Sequence, residues 1–230
     1  MELRIAASAG VDERCEVLDV GCGIGGPACH LAVRTGARIR GVTPNAAQLR
    51  LARELARSTR TEERVSFHEG SASALPFDDA SFDVVLFFES PCHFPDRRRF
   101  FAEVRRVLRP GGRLAGEDWL AAHGLDAAQT ARWITPICES WAIPALGSLV
   151  EYAADMRSAG LAVREAVDLR EEMALLRGFV VGPADRRALQ EEMPATAEPI
   201  RRTIKEGLIR LGEAAQAGAF TVGRFLALRE

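Results

Sequence analysis

Residues 17–26 read VLDVGCGIGG, an apolar run that meets an acid, Asp19, and then breaks into four glycines, Gly21, Gly23, Gly25 and Gly26. Val17, Leu18 and Val20 suit a strand buried on both faces, and the glycines let the following backbone take positive φ and come close to a ligand. Such a turn cradles a nucleotide. Asp19 narrows the ligand, because a carboxylate at this point repels phosphate and attracts a cation. The expected ligand is therefore a nucleoside that carries an amino acid, its ammonium facing Asp19. A purely structural acid bonded to backbone amides is the alternative reading of that residue.

Gly21, Gly23 and Gly26 also satisfy GxGxxG, the dinucleotide fingerprint. A nicotinamide site expects an acid about 20 residues further on to hold the ribose. This chain has IRGVTPN there, with Thr43 and no carboxylate, which argues against a dehydrogenase.

Outward from this stretch, short apolar runs alternate with amphipathic ones, the pattern of a parallel sheet covered on both faces. Strands are expected near 16–20, 38–42, 64–68, 82–88 and 112–118, with helices near 27–35, 45–58 and 96–108. Residues 120–215 leave this rhythm: two helices, then AVREAVDLR as a strand, then a helical tract over 184–216. A last strand is expected at about 218–228, accompanied by a piece near 161–168. The domain reading is a core of 1–119 and 218–230, and an insertion of 120–217 that includes the sixth strand and binds the substrate.

In order along the chain, VLDVGCGIGG, GVTPNAAQ, SASALPFDDASFDVV and RRVLRPGGRLAGEDW resemble the motifs of class I S-adenosylmethionine-dependent methyltransferases, over roughly Val17 to Trp119. GVTPNAAQ followed by ESPCHFPD is similar to the branch that includes tocopherol and sterol methyltransferases. The resemblance implies an α/β Rossmann-like, doubly wound, seven-stranded sheet. It would be mostly parallel, with an antiparallel last strand inserted at the sheet edge, plus a helical substrate cap. It implies S-adenosyl-L-methionine as cofactor, S-adenosyl-L-homocysteine as its product, and a small-molecule acceptor.

Carried onto this chain, the resemblance puts the turn Gly21, Cys22, Gly23 and Gly25 under the ribose and methionine, with Thr43, Pro44 and Gln48 at the ribose. Ser71 and Ala72 fall where the family has an adenine-binding acid and the amide that follows it. Ser71 leaves only a hydroxyl there, with Leu75 and Phe77 packing nearby and Glu69 able to compensate. Phe88 completes the cofactor set. Glu89 and His93 follow the strand DVVLFF and are the candidates for a base, since His titrates near neutrality and Glu can orient it or stabilise a cation. Their alternative roles are a loop cap and a histidine bonded to backbone. His30 and His68 read as structural, and His123 as a weaker candidate. Glu117 and Asp118 end the fifth strand, where an acceptor amine and solvent are the competing neighbours. Trp133, Trp141, Met173, Leu176 and Phe179 are candidate apolar lining, with ordinary core packing as the alternative.

Few residues precede the first strand, and ELRIAASAGV reads as the last turns of a helix. Relatives in this branch carry further helices there, so the resemblance implies a shortened N-terminus and an open site. A homodimer partner completing the lid, a trimmed start and lost catalysis are the competing explanations.

A length of 230 residues with 47% hydrophobic content can bury one sizeable core. The formal charge of −2 argues little for nucleic acid, and the arginine clusters Arg97–Arg99 and Arg186–Arg187 are diluted by neighbouring acids. Cys15, Cys22, Cys29, Cys92 and Cys138 form no CxxC pair, so neither a metal site nor a disulfide framework is expected. With no signal peptide and no apolar run of the ~20 residues a span requires, the expected place is the cytoplasm. The function expected is methyl transfer to a small, apolar C-, N- or O-acceptor, with a non-catalytic scaffold of the same fold as the alternative.

Overall fold

The computed structural model describes residues 1–172 and 198–230. Seven strands form one sheet: β1 (Glu16–Val20), β2 (Arg38–Thr43), β3 (Val65–Glu69), β4 (Phe82–Phe88), β5 (Leu108–Ala121), β6 (Ala162–Asp168) and β7 (Phe220–Leu228). Their order is β3-β2-β1-β4-β5-β7-β6, with β7 antiparallel. β1 pairs in parallel with β2 and β4, so that Asp19 lies opposite Gly41 on one side and Leu86 on the other. The chain order reverses between β1 and β4. At such a switch point the connections leave in opposite directions and open a crevice at the carboxyl ends of the strands.

Two of the expected strand placements need correction. β5 begins at Leu108 rather than 112, because Leu108 pairs with Phe82 before an irregularity carries the register to Arg113 opposite Val84. β7 is not at the sheet edge: it lies between β5 and β6, which leaves β6 as the edge. The remaining strands, and the helices expected near 27–35, 45–58 and 96–108, fall within two residues of their expected ends, whereas the helix read in ELRIAASAGV stops at Ser8. These helices are α1 (Glu2–Ser8), α2 (Gly26–Thr35), α3 (Ala46–Ser58) and α4 (Arg97–Val107).

By its contacts the chain divides into two compact units. The first comprises Met1–Asp118, Val150–Val167 and Arg224–Glu230, and includes α7 (Leu149–Ser158) apart from its first residue. β4 shows why it folds: Val84, Val85, Leu86 and Phe87 are all buried, and successive side chains of a strand point to opposite faces. Leu86 joins Ile5, Val17, Leu31, Ile39, Leu49 and Phe67 in one cluster. Phe87 meets Phe100 of α4 edge-on at 6.2 Å and Phe225 of β7 at 6.3 Å.

The second unit comprises Trp119–Leu149 and Asp168–Gly223. Its helical run is α5 (Ala127–Gln129), a π turn over Thr130–Ile134, and α6 (Thr135–Trp141), followed much later by α8 (Glu198–Gln216). The π turn sits just before Pro136, which has no N–H to give the carbonyl of Arg132. Trp119 meets Trp141 edge-on at 5.1 Å and Phe220 at 5.9 Å. α8 passes so close to Trp141 that a Cβ on Gly207 would fall 2.7 Å from its Nε1.

Candidate functional site

Asp19, near the end of β1, is 2% exposed, and its Oδ2 has no hydrogen-bond partner. Burial alone pushes its carboxyl up to about 7. Native proteins rarely leave a buried acid without partners, so this oxygen is a vacancy in the local hydrogen bonding that a cationic ligand would fill.

The glycine turn follows. Gly21, Gly23 and Gly25 take φ of +77°, +53° and +84°, which side chains on L-residues resist. A Cβ on Gly21 would fall 2.4 Å from Ser90 Cβ, and one on Gly25 2.5 Å from Phe67 Cζ. The turn is tied to β2 by Gly21 and Cys22, whose N–H groups donate to Val42 O at 2.9 and 3.1 Å. Gly25 then caps α2, whose first turn contains Pro27. Burial drives the Cys22 thiol well above its usual range, so it is an apolar filler rather than a thiolate.

At the end of β2, the Thr43 hydroxyl donates to Gln48 Oε1 at 2.9 Å. Asn45 caps α3, its Oδ1 accepting from Ala47 and Gln48 N–H at 2.9 and 3.2 Å. This cap fixes the first turn of α3, and with it Gln48. After β3, Ser71 Oγ accepts from Ser73 N–H at 3.2 Å, so part of its capacity is spent within its own loop. Leu75 and Phe77 do not pack beside it in the crevice: Leu75 is buried, and Phe77 meets His68 at 5.2 Å and Phe82 at 5.1 Å, edge-on in both cases. Glu69 is exposed and lies outside the crevice lining.

After β4 the chain turns sharply. Glu89 adopts φ +47°, a conformation that non-glycine residues hold only where the surroundings enforce it, and its N–H donates to Glu117 O at 2.9 Å. Ser90 is buried, its hydroxyl donating to Val20 O at 2.7 Å. A 3₁₀ turn, Pro91–His93, leads to α4, which Asp96 caps by accepting from Arg99 N–H at 2.9 Å.

These segments enclose one cavity of about 640 Å³ at the carboxyl ends of β1, β2 and β4. Its lining includes Asp19, Gly21, Cys22, Gly23, Thr43, Pro44, Gln48, Ser71, Ala72, Phe88, Glu89 and His93. Of the turn glycines singled out from the sequence, Gly25 is not in it, and neither are Glu69, Leu75 and Phe77. Ser90, Asn45, Ile24 and Phe94 also line the cavity and were missed by the motif reading. Asn45 carried a signal, an Asn directly before a helical run. Ser90 carried none until its contact with Gly21 was seen.

The remaining candidates lie elsewhere. His30, His68 and His123 are outside the lining, His68 sharing a hydrogen bond with Ser66 at 3.1 Å. Glu117 and Asp118 are both buried, so neither is solvated. Burial, and then the nearby Glu89 carboxylate, push Glu117 up to about 7. Trp133 and Trp141 belong to the apolar cluster of the second unit. Met173, Leu176, Phe179, Arg186 and Arg187, and the 184–197 part of the expected helical tract, lie outside the described residues. Arg97 and Arg98 pair with Asp155 at 2.7 and 2.9 Å, and Arg99 donates to Ser73 O at 2.8 Å. Among the described residues no group of three metal-ligating side chains occurs, and no helix is long and apolar enough to cross a membrane.

Comparison with known proteins places this cavity in context. Residues 18–116 match the family model described as a methyltransferase domain. The chain is 39% identical over 183 residues to methyltransferase GfsG of Streptomyces halstedii, covering 80% of this chain and 64% of that protein. It is 34% identical over 165 residues to the chloroplastic tocopherol O-methyltransferase of Arabidopsis thaliana, covering 69% and 47%. It thus spans less than two thirds of either relative. The fold is similar to that of geranyl diphosphate C-methyltransferase from Streptomyces coelicolor A3(2), with TM-score 0.80, 23% identity, and coverage of 100% of this chain and 78% of that one.

Proposed function

The chain carries a class I S-adenosylmethionine-dependent methyltransferase domain, and on that premise we propose that it moves a methyl group from this cofactor to a small, largely apolar acceptor. The observation that carries the reading is the buried, unpartnered Oδ2 of Asp19 beside the glycine turn. It fits an amino acid ammonium, and at Gly23 nothing lies within 4 Å of where a Cβ would stand, which keeps the turn's backbone open to a ligand there. Thr43 and Gln48 offer neutral hydrogen bonds to a ribose, weaker than those of a carboxylate. Ser71 and Ala72 stand at the adenine end, and Phe88 lines the same cavity.

When bound, S-adenosylmethionine supplies an electrophilic methyl group on a good leaving group, so the protein's share is alignment and exclusion of water. Glu89 and His93 are the groups on this chain that handle the acceptor's proton. Both are exposed and line the cavity. His93 accepts the proton at a ring nitrogen, and the Glu89 carboxylate orients the acceptor or balances charge that develops on it. An apolar acceptor is supported by the name of the tocopherol relative and by the motif match to its branch. The five free thiols suit a reducing cytoplasm, where we place the chain.

Incubation with isotopically labelled S-adenosylmethionine and a metabolite extract of the host tests this directly. Gain of one methyl mass by a small apolar compound is expected. No labelled product, with no binding of the cofactor at millimolar concentration, would support a scaffold of the same fold instead.

A further inference from the structure

Residues 70–81 join β3 to β4 with no helix or strand of their own beyond a bridge between Ser71 and Ala74, and Gly70, Ser71, Ala72 and Ser73 line the cavity. Such a segment takes its order from whatever holds its backbone groups. Here α4 holds them. Arg106 Nη1 donates to Phe77 O at 2.7 Å and to Asp79 Oδ1 at 2.9 Å, and its Nη2 donates to Leu75 O at 3.0 Å. Glu103, one turn earlier, receives Arg106 Nε and Nη2 on its two carboxylate oxygens, each at 2.8 Å, and its Oε2 also accepts from Leu75 N–H at 2.8 Å. One ion pair thus grips both backbone groups of Leu75. A turn further back, Arg99 Nε donates to Ser73 O at 2.8 Å, beside Ala72. Positions 99, 103 and 106 are spaced four and three apart, which sets them on one face of the helix. The fork of Arg106 on Glu103 is bidentate and charge-assisted, stronger and better fixed in direction than neutral bonds. None of the three side chains lines the cavity.

We propose that Glu103 and Arg106, with Arg99, are positioning residues for the cofactor: from α4 they hold the loop after β3 in the shape that receives the adenine, so that Ser71 and Ala72 stand in place before the ligand arrives. The inference rests on the reading of this cavity as an S-adenosylmethionine site. The three residues touch no reacting atom and act through the backbone of the loop. At Ser71 only a hydroxyl faces the task of an acid, and it already accepts from Ser73 N–H, so a loop ordered in advance matters: binding then carries no entropy of loop ordering.

The test uses Arg106→Gln, Arg99→Gln and, as control, Arg64→Gln in the full chain. Arg64 Nη1 donates to Gly36 O at 2.6 Å, the same kind of bond outside the cavity lining. Amide hydrogen exchange of Ala74 and Leu75 is measured without ligand, S-adenosylmethionine affinity by calorimetry, and methyl incorporation in the labelled-extract assay at saturating cofactor. Arg106→Gln is expected to leave the loop ordered in about a tenth of the molecules, which lowers apparent affinity about tenfold and raises exchange of both amides at least about tenfold. Saturating cofactor selects the ordered loop, so methyl incorporation stays within about twofold of the native rate. Arg99→Gln removes one bond of an exposed side chain and is expected to lower affinity about threefold. This variant decides the matter if Arg106→Gln fails to fold. Arg64→Gln should keep native exchange and affinity. Faster exchange with native affinity would show that the bonds serve stability alone and would overturn the proposal, as would native exchange in both loop variants or an equal loss of affinity in the control. No cofactor binding by the native chain would overturn the reading of the cavity itself, and the proposal with it.

Discussion

Burial of the Asp19 carboxylate with one oxygen unpartnered sets a conflict between stability and binding at a single residue. Its folded pKa of about 7 lies above the ordinary aspartate value of 3.8, so between these limits the folded chain keeps a proton that the unfolded chain has lost. Stability from this group therefore falls as pH rises through that window, and the deficit is complete above about 7. Asp19→Asn should accordingly raise the melting temperature of the ligand-free protein at pH 8 by several degrees, as measured by calorimetric scanning. The same substitution should weaken S-adenosylmethionine binding by about ten- to a hundredfold, the usual worth of a hydrogen bond to a charged group. In the native chain, affinity should fall about tenfold per pH unit below 7, because the neutral acid must first lose its proton. At the neighbouring base positions, His93→Ala and Glu89→Gln should slow transfer more than they weaken cofactor binding. Turnover equal to the native rate in both variants would remove the proposed base. That Asp19, Gly21 and Gly23 line the cavity was legible, because a missing side chain or a lone acid leaves a mark in sequence. Ser90 was not, because its role depends on contact with Gly21 across the sheet.

At the level of elements, the glycine turn and the loop after β4 are mutually confined. Gly21→Ala would combine an unfavourable positive φ with a Cβ 2.4 Å from that of Ser90. A loss of about 2 kcal/mol or more is expected in urea denaturation, above the cost of left-handed backbone alone. A loss below about 0.5 kcal/mol would mean that the two segments yield freely. Periodicity located most strands and helices here, since each apolar run is bounded by a cap or a glycine. The start of β5 escaped it: LRPGG reads as a turn, yet Gly111 N–H donates to Arg229 O at 2.7 Å and Arg229 N–H to Gly112 O at 2.9 Å, so pairing with the chain's last residues holds it extended. Leu75 and Phe77 were misplaced for a related reason. Apolar residues beside a ligand motif read alike whether they face the ligand or the core, and Phe77 is claimed by Phe82 and His68.

For the whole molecule, the alternation of strands and helices and the four ordered motifs made the α/β sheet legible. The placement of β7 between β5 and β6 was not, since local pattern does not record which strands become neighbours across long separations. The reversal of strand order between β1 and β4 then gathers Asp19, Thr43, Ser71 and Glu89, far apart in sequence, around one cavity. The acceptor stays outside what such a geometry specifies, because the fold supplies a methyl-donor site and variable segments choose the substrate. The claim on which the account depends is that a sulfonium nucleoside binds through its ammonium to Asp19. Titration calorimetry of S-adenosylmethionine into the native chain and into Asp19→Asn at pH 8 tests it most directly. The account predicts saturable binding to the native chain and an affinity lower by at least about tenfold in the variant. Equal affinities, or no heat from the native chain at millimolar cofactor, would contradict it.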